Sequence, residues 1–205
     1  MFKTITKNFK KPKGLIGKIV GLIMAAENKT LNEWTIRQLK IRPKDRILEV
    51  GYGPGYSIDY ITDHYPGVYV DGIDVSKTMK DQATHRLDPE IEQGDVKLFA
   101  GDVAEADFQQ GRYHKVFTVN NYTLWENKRT GLQKLYEALV PGGRIAITMQ
   151  PRQEDARENK ARTFGKDIQR DLKTCGFRRI KVQYRKISPE LAVCVTALKP
   201  VGHPR

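Results

Sequence analysis

Cysteine is scarce in this sequence of 205 residues, and its two thiols, Cys175 and Cys194, lack the paired Cys/His spacing of a structural zinc site. We therefore expect neither a disulfide framework nor a resident metal, and we expect the protein to work in a reducing cytoplasm. Long apolar runs are also absent, which excludes a membrane bundle. Hydrophobic residues still make up 39% of the chain, enough for the packed core of one soluble domain.

Acidic residues are missing from the first 26 positions, which carry six lysines. Residues 151–186 are also basic, with 12 Lys and Arg against 5 Asp and Glu, whereas residues 27–150 carry 16 basic and 18 acidic side chains. The net charge of +12 therefore lies at two basic ends around a nearly neutral middle. We expect either a solvated surface or an attraction for anionic partners, such as RNA, an anionic membrane surface or an acidic substrate.

The N-terminal segment reads as a loose amphipathic helix rather than as a signal peptide. Lys18 interrupts its apolar stretch, and Met24 is a poor match to a small-residue cleavage site. One helical stripe is formed by Leu15, Ile19, Leu22, Ile23 and Ala26. We predict a basic helical extension over residues 1–29 that covers or closes the main domain, with contact to a membrane surface as the alternative.

Strand-like and helical runs alternate from Arg46 onward, which is typical of a parallel sheet with crossover helices. The predicted strands cover residues 46–50, 68–73, 96–100, 115–119, 144–149, 179–187 and 191–198. The predicted helices run from Thr30, where Glu33 completes a capping box, to Pro43, and then over 56–64, 77–86, 129–139 and 161–175. Residues 141–143 predict a turn after the fourth of these helices. Only residues 188–190 separate the last two strands, so the last strand should pair antiparallel.

A glycine-rich turn joins the first strand to its helix in the run ILEVGYGPG at residues 47–55. Glycines at such a junction let the backbone turn sharply, admit a ligand close to the main chain and aim a helix N-terminus at a polar group. A dinucleotide fingerprint is excluded, because Gly55 follows Gly53 by two positions and Tyr56 stands where that fingerprint needs glycine. A Walker loop is excluded as well, because no Gly-Lys-Ser/Thr follows.

The pattern Glu49-x-Gly51-x-Gly53-x-Gly55 resembles the first motif of class I S-adenosylmethionine-dependent methyltransferases. Further segments match that family in order, at residues 72–76, 100–103, 116–121 and 139–145. The resemblance covers roughly residues 30–200 and implies a compact single-domain bacterial-type member. It implies a methyltransferase domain over 30–205 that is Rossmann-like: a seven-stranded, mostly parallel sheet with helices on both faces and an antiparallel last strand. S-adenosylmethionine is the implied cofactor.

The resemblance also implies roles for particular side chains. Asp74, 23 residues after Gly51, matches the acidic residue that hydrogen-bonds both ribose hydroxyls, a task suited to a carboxylate. Asp102 matches the residue that meets the adenine amino group, although an aspartate there often only caps a turn. Asp71 is a competitor for the ribose, but it falls inside the strand. The predicted cofactor-binding residues are Glu49, Gly51, Tyr52, Gly53, Gly55, Asp74, Val75, Asp102, Val103 and Asn120.

The loop after the fourth strand is the expected place of substrate contacts, because ligands of open α/β sheets bind beyond the C-terminal strand ends. Asn120 is the best candidate for positioning the acceptor near the transferred methyl. The predicted substrate residues are Asn121, Tyr122 and Trp125, with core packing as the alternative for the two aromatics. A sulfonium methyl is already electrophilic, so no base is obligatory. His114 and Glu126 are weak candidates for one, and the base stays unassigned.

Methylation of a small molecule is the function that we expect. The alternatives are the same reaction on RNA or an anionic lipid, suggested by the basic ends, and a non-catalytic binding module that keeps the fold. One nucleic-acid interpretation is disfavoured, because Asn121 and Tyr122 replace the two prolines of the signature associated with methylating exocyclic amino groups of bases.

Overall fold

The apolar runs of the sequence form a seven-stranded sheet in the computed structural model, which describes residues 29–151, 158–188 and 190–202. The strands are β1 (Arg46–Val50), β2 (Tyr69–Asp74), β3 (Val96–Ala100), β4 (Tyr113–Val119), β5 (Leu139–Met149), β6 (Arg178–Ile187) and β7 (Glu190–Leu198). Their order is β3-β2-β1-β4-β5-β7-β6. Strands β1 to β5 are mutually parallel, and β7 is antiparallel to both β5 and β6. The predicted mostly parallel sheet and antiparallel last strand are confirmed.

Helices cover both faces of the sheet, as predicted. They are α1 (residues 29–39), α2 (Tyr56–His64), α3 (Lys77–Arg86), α4 (Asp88–Glu92), α5 (Lys128–Ala138) and α6 (Glu158–Thr174). Successive strand residues point to opposite faces. Ile47 packs with Leu31 of α1 and Ile58 of α2, whereas its neighbour Leu48 packs in the cluster that contains Leu132 of α5 and Leu172 of α6. The described part of the chain has no helix that is long and apolar enough to cross a membrane.

Local signals explain where the helices begin and end. Gly55, with a φ of 87°, precedes α2, and the Ser76 side chain accepts a hydrogen bond from the Met79 amide at the start of α3. Helix α1 ends at residue 39, before the predicted limit at Pro43, because Lys40 takes a left-handed φ of 54°. The predicted extension over 1–29 lies outside the described residues except for Lys29, and its role stays a prediction.

Two parts of the predicted layout are wrong or incomplete. Residues 141–143, predicted as a turn, lie inside β5, because the Gly142 amide donates to the Lys199 carbonyl at 3.0 Å and the Lys199 amide donates to the Gly143 carbonyl at 2.9 Å. This pairing with the residue after β7 keeps the segment in the sheet as a bulge, with a left-handed φ of 79° at Gly142. The second omission is the short helix α4, in which Pro89 occupies the first turn.

The strand order reverses between β1 and β4, since β1 has β2 on one side and β4 on the other. The carboxyl ends of β1 to β5 meet at one edge of the sheet. A crevice outside such a reversal is the usual ligand site of an open α/β sheet. The candidate residues at the ends of these strands are therefore brought to one place.

Candidate functional site

The glycine-rich turn after β1 leaves room for a ligand against the backbone. Gly51 has a φ of 77°, and its amide donates to the Ile73 carbonyl at 2.7 Å. A Cβ on Gly51 would lie 2.3 Å from Cγ of Asn121, so only glycine fits between the two loops. Gly53 differs: its φ is 54°, and nothing lies within 4 Å of the position that a Cβ would take. The open space is therefore above Gly53.

Asp74 joins the end of β2 to the glycine-rich turn. Its Oδ2 accepts from the Gly53 amide at 2.9 Å, and its Oδ1 accepts from the Ser76 amide at 2.9 Å. Ser76 itself caps α3, so this role does not fall to Asp74. A carboxylate oxygen accepts more than one hydrogen bond, so Asp74 retains capacity for ligand hydroxyls.

Asp71, the competitor for that role, is engaged elsewhere. Its Oδ2 accepts from the Tyr113 hydroxyl at 2.7 Å and from Nε of Arg112 at 3.1 Å. The Asp71 side chain is 6% exposed. These contacts make it a structural anchor for β4, and they leave Asp74 as the carboxylate at the strand end.

Asp102, after the end of β3, caps a turn and is also the residue predicted to contact adenine. Oδ1 of Asp102 accepts from the Ala104 amide at 2.7 Å, the turn-capping geometry that was the alternative for this residue. The Val103 side chain is buried in the core beside Trp125. Val75, by contrast, is 70% exposed directly after Asp74. The predicted adenine contacts of Asp102 and of the Val103 backbone stay predictions.

Asn120 ties the end of β4 to the end of β5. Its amide donates to the Thr148 carbonyl at 2.9 Å, and its Oδ1 accepts from the Gln150 amide at 2.8 Å. A φ of 51° at Asn120 directs the chain away from the strand. Nε2 of Gln150 donates to the carbonyls of Ile187 at 2.7 Å and Glu190 at 2.8 Å. The β6–β7 hairpin is thus fixed beside Asn120.

Tyr122 and Trp125 lie in the core, which was the alternative to their substrate role. They are 2% and 6% exposed, and their rings meet edge to face with centroids 5.0 Å apart. The Tyr122 hydroxyl donates to Asp171 at 2.9 Å, and Nε1 of Trp125 donates to Oδ1 of Asn121 at 2.6 Å. Leu124, between them, is 68% exposed. Between the two aromatics, the exposed side chains are therefore Thr123 and Leu124, neither of which was predicted from the sequence as a site residue.

Neither of the two candidate general bases lies at the crevice. Nδ1 of His114 accepts from the Arg46 amide at 2.9 Å, at the opposite, amino-terminal end of β4. Glu126 is exposed beyond the loop. The geometry gives His114 a structural role in pairing β4 with β1.

Comparison with known proteins decides what kind of site this is. The model of a family described as a methyltransferase domain matches residues 47–143. The chain is also 46% identical over 182 residues to the uncharacterized methyltransferase YdaC of Bacillus subtilis, an alignment that covers 89% of this chain and 98% of YdaC. This chain belongs to the class I S-adenosylmethionine-dependent methyltransferases.

Other methyltransferases share less of their length with it. The chain is 28% identical over 123 residues to phosphoethanolamine N-methyltransferase 2 of Caenorhabditis elegans, covering 60% of this chain and 28% of that enzyme. The solved phosphoethanolamine N-methyltransferase 2 of Haemonchus contortus, bound to phosphomonomethylethanolamine and S-adenosylhomocysteine, has the same fold. That similarity has a TM-score of 0.69 and 18% identity, and it covers 84% of this chain and 53% of the other.

The described residues of the methyltransferase fit S-adenosylmethionine. The cofactor needs a close approach of backbone, hydrogen-bond acceptors for ribose hydroxyls and an apolar surface. Gly53 provides the open backbone, Asp74 the acceptor oxygens, and Val75 an exposed apolar side chain beside them. These three residues would hold the cofactor.

A buried acid lies beneath the same turn. Glu49 is 3% exposed, and within the described structure its Oε2 has no hydrogen-bond partner. Burial raises the pKa of Glu49 from 4.5 to about 8, a hydrogen bond with Ser57 acts in the opposite direction, and the negative charge of Asp74 adds to the increase. Near neutral pH the methyltransferase therefore holds a largely protonated carboxyl under the glycine-rich turn of residues 51–55, which we call the cofactor turn. The pKa of Tyr52 is also raised, first by burial and then by Asp74, and its hydroxyl donates to the Phe99 carbonyl at 3.1 Å.

Sequence reasoning missed Arg86, which braces the outside of the cofactor turn. Its Nε donates to the Pro54 carbonyl at 3.0 Å, and its guanidinium lies 3.7 Å from the centre of the Tyr56 ring. A second nitrogen meets Asp59 at 3.4 Å. A basic residue in the last turn of α3 gives no local signal of a contact 32 positions earlier in the chain.

Proposed function

We propose that this methyltransferase transfers a methyl group to a small-molecule acceptor at the carboxyl ends of β1, β4 and β5. When bound, S-adenosylmethionine supplies an electrophilic methyl group. A small acceptor is supported by the fixed contacts of Gln150 beside Asn120. The Gln150 amide donates to Asn120, and its side chain donates to the carbonyls of Ile187 and Glu190, so these residues form a rigid wall of the site. A fixed wall restricts the size of what enters and holds an acceptor in one orientation.

Each strand end has a part in this proposal. Asp74 accepts hydrogen bonds from the ribose, and Gly53 admits the cofactor to the backbone. Asn121 fills the space against Gly51, so the donor side and the acceptor side are in contact. Leu124, which is exposed on the same loop as Asn121, would offer the acceptor an apolar surface. The chain thus positions two reactants and excludes water between them.

The acceptor brings its own nucleophile in this mechanism. The polar side chains that the described structure places at the ends of β4 and β5 are the amides of Asn120, Asn121 and Gln150, which take up no proton near neutral pH. Acceptors that can attack without a protein base include thiolates, carboxylates and amines in their uncharged form, whose extra proton is released to solvent before the attack. The name of the C. elegans relative, a phosphoethanolamine N-methyltransferase, supports a small nucleophile of this kind. We propose that the reaction takes place in the cytoplasm, consistent with the free thiols of Cys175 and Cys194.

Label transfer from a radioactive methyl donor tests the proposal. Purified protein is incubated with donor and with separate metabolite, RNA and lipid extracts, and the incorporated label is counted in each. Asp74→Ala, assayed at limiting donor, is the comparison with weakened donor binding, and Asp63→Ala, which removes an exposed carboxylate of α2, is the matched control. We expect label in the metabolite fraction for the wild type and Asp63→Ala, and much less of it for Asp74→Ala. Label in RNA or lipid instead, or none above Asp74→Ala in any fraction, contradicts the proposal.

A further inference from the structure

A basic groove lies between the second half of α6 and the start of β6, away from the cofactor turn. Its volume is about 840 Å³. The groove is lined by the cations Lys166, Arg170, Lys173, Arg178 and Arg179. We call these five residues and the space between them the basic groove.

The basic groove is remote from the methyl-transfer site. Helix α6 follows β5 and returns along the sheet, so its last turn and the first residues of β6 lie at the amino-terminal ends of the parallel strands. The cofactor turn lies at their carboxyl ends. Strand β6 is also four positions from β1 in the sheet, roughly 19 Å at about 4.8 Å per strand. A ligand in the groove therefore binds outside the transfer site, and the described link between the two is Asp171, which contacts both Arg170 and the Tyr122 hydroxyl.

The cations of the basic groove form a row rather than a single point. Lys166, Arg170 and Lys173 recur at helical spacing on one side of α6, over roughly 10 Å at about 1.5 Å per residue. Arg178 is held across from them by hydrogen bonds of 3.1 Å to the carbonyls of Gly176 and Phe177. A row of this length matches several successive phosphates better than one.

Acidic side chains offset only part of this charge. Asp167 and Asp171 pair with Arg170 at 2.9 Å and 3.2 Å, and Asp171 also accepts from the Tyr122 hydroxyl. For the other four cations of the groove, the described structure contains no carboxylate within ion-pair distance. The groove keeps a clear positive excess.

A bulge in β6 sets the direction of one cation of the groove, Arg179. Arg179 has a φ of 53°, a left-handed conformation that is strained for a residue with a side chain. The register of β6 against β7 shifts between Arg178 and Lys181, so two residues of β6 stand opposite one of β7. Such a bulge redirects side chains at a sheet edge. An arginine at a position that favours glycine is consistent with a use for its charge.

We propose that the basic groove binds the phosphate backbone of RNA and serves as a docking surface separate from the methyl-transfer site. We choose RNA as the partner because of charge complementarity: a row of cations in a concave groove can bind the phosphates of a flexible polyanion. A bilayer surface fits less well, because the groove has only two apolar lining residues, of which Phe177 is fully buried and Ile180 is half-buried, so neither protrudes as an anchor for lipid. The inference goes beyond the proposed function and does not depend on it.

Fluorescence anisotropy with the full chain and a short labelled single-stranded RNA of mixed sequence tests the inference over a salt series. The groove variant is Lys173→Gln with Arg179→Gln. The matched control is Lys44→Gln with Lys97→Gln, which removes the same charge from exposed sites away from the groove, in the turn before β1 and in β3. Arg179→Gly is a third variant that suits the left-handed backbone, so its thermal midpoint should equal or exceed that of the wild type.

The groove variant should bind RNA more weakly, and the slope of log affinity against log salt should fall by about 1.4, from about 0.7 for each of two lost phosphate contacts. Arg179→Gly should weaken binding without loss of stability. Donor affinity, measured by calorimetry on the same proteins, should stay unchanged. The proposal fails if the control variant loses as much affinity as the groove variant, or if RNA does not bind. It also fails if vesicles of phosphatidylglycerol, but not RNA, show the groove dependence.

Discussion

Replacing Glu49 by glutamine should remove a pH dependence of folding stability that this carboxyl causes. Burial raises the pKa of Glu49 from 4.5 to about 8, and a carboxyl whose pKa is higher in the folded state keeps its proton longer there than in the unfolded chain. The contribution of Glu49 to the free energy of unfolding is therefore fully present below its unfolded pKa of 4.5. This contribution is lost as the pH rises towards the folded pKa of about 8. Because each pKa unit equals about 1.4 kcal/mol, raising the pH from 6 to 9 should cost the wild type about 2 to 3 kcal/mol through this residue.

Urea unfolding of the cofactor-free protein at several pH values measures this cost. Other groups titrate in the same range, so the informative quantity is the difference between the wild type and Glu49→Gln, in which their effects cancel. Glu92→Gln, an exposed carboxyl of α4, serves as the control and should follow the wild type. If the free energy of unfolding changes with pH by the same amount in the wild type and in Glu49→Gln, burial of this acid does not control its protonation.

Three further substitutions test the cofactor turn. Asp74→Ala should weaken S-adenosylmethionine binding by about 1 to 3 kcal/mol in calorimetry, and affinity equal to that of Asp63→Ala would remove Asp74 from the site. Gly51→Ala should destabilise the fold by about 1 to 3 kcal/mol in urea unfolding, because its Cβ would meet Asn121 at 2.3 Å; unchanged stability would contradict the packing described. Arg86→Ala should raise the Kd of the cofactor several-fold while melting changes little, and an unaltered Kd would show that the turn needs no brace.

Much of the fold follows from local sequence signals. The limits of β1, β3, α2 and α3 agree with prediction, because each is bounded by glycine, a capping serine or an abrupt change between apolar and polar residues. The bulged start of β5 was not predictable, since its place in the sheet depends on pairing with Lys199, far along the chain. Helix α4 is too short for a periodic pattern.

The candidate site also contains some features that the sequence predicts and others that depend on distant parts of the chain. The cofactor turn and Asp74 come from a motif with fixed spacing, and the structure brings them together through the hydrogen bond between the Gly53 amide and Asp74. The burial of Tyr122 depends on Asp171, 49 positions away, and no local pattern reports such a partner. An aromatic after a strand suits a pocket wall and a core equally well. The roles of Asp102, Val103 and Asn120 toward ligands remain predictions.

The contact between Gly51 and Asn121 limits how acceptor preference can be altered, by evolution or by design. Asn121 is confined by the glycine turn on one side and by the indole of Trp125 on the other, so a change there would disturb the seat of the methyl donor as well. Thr123 and Leu124 are exposed on the same loop. Under the proposed function, we expect variation at these two positions to alter which molecules are accepted without altering how the donor is held.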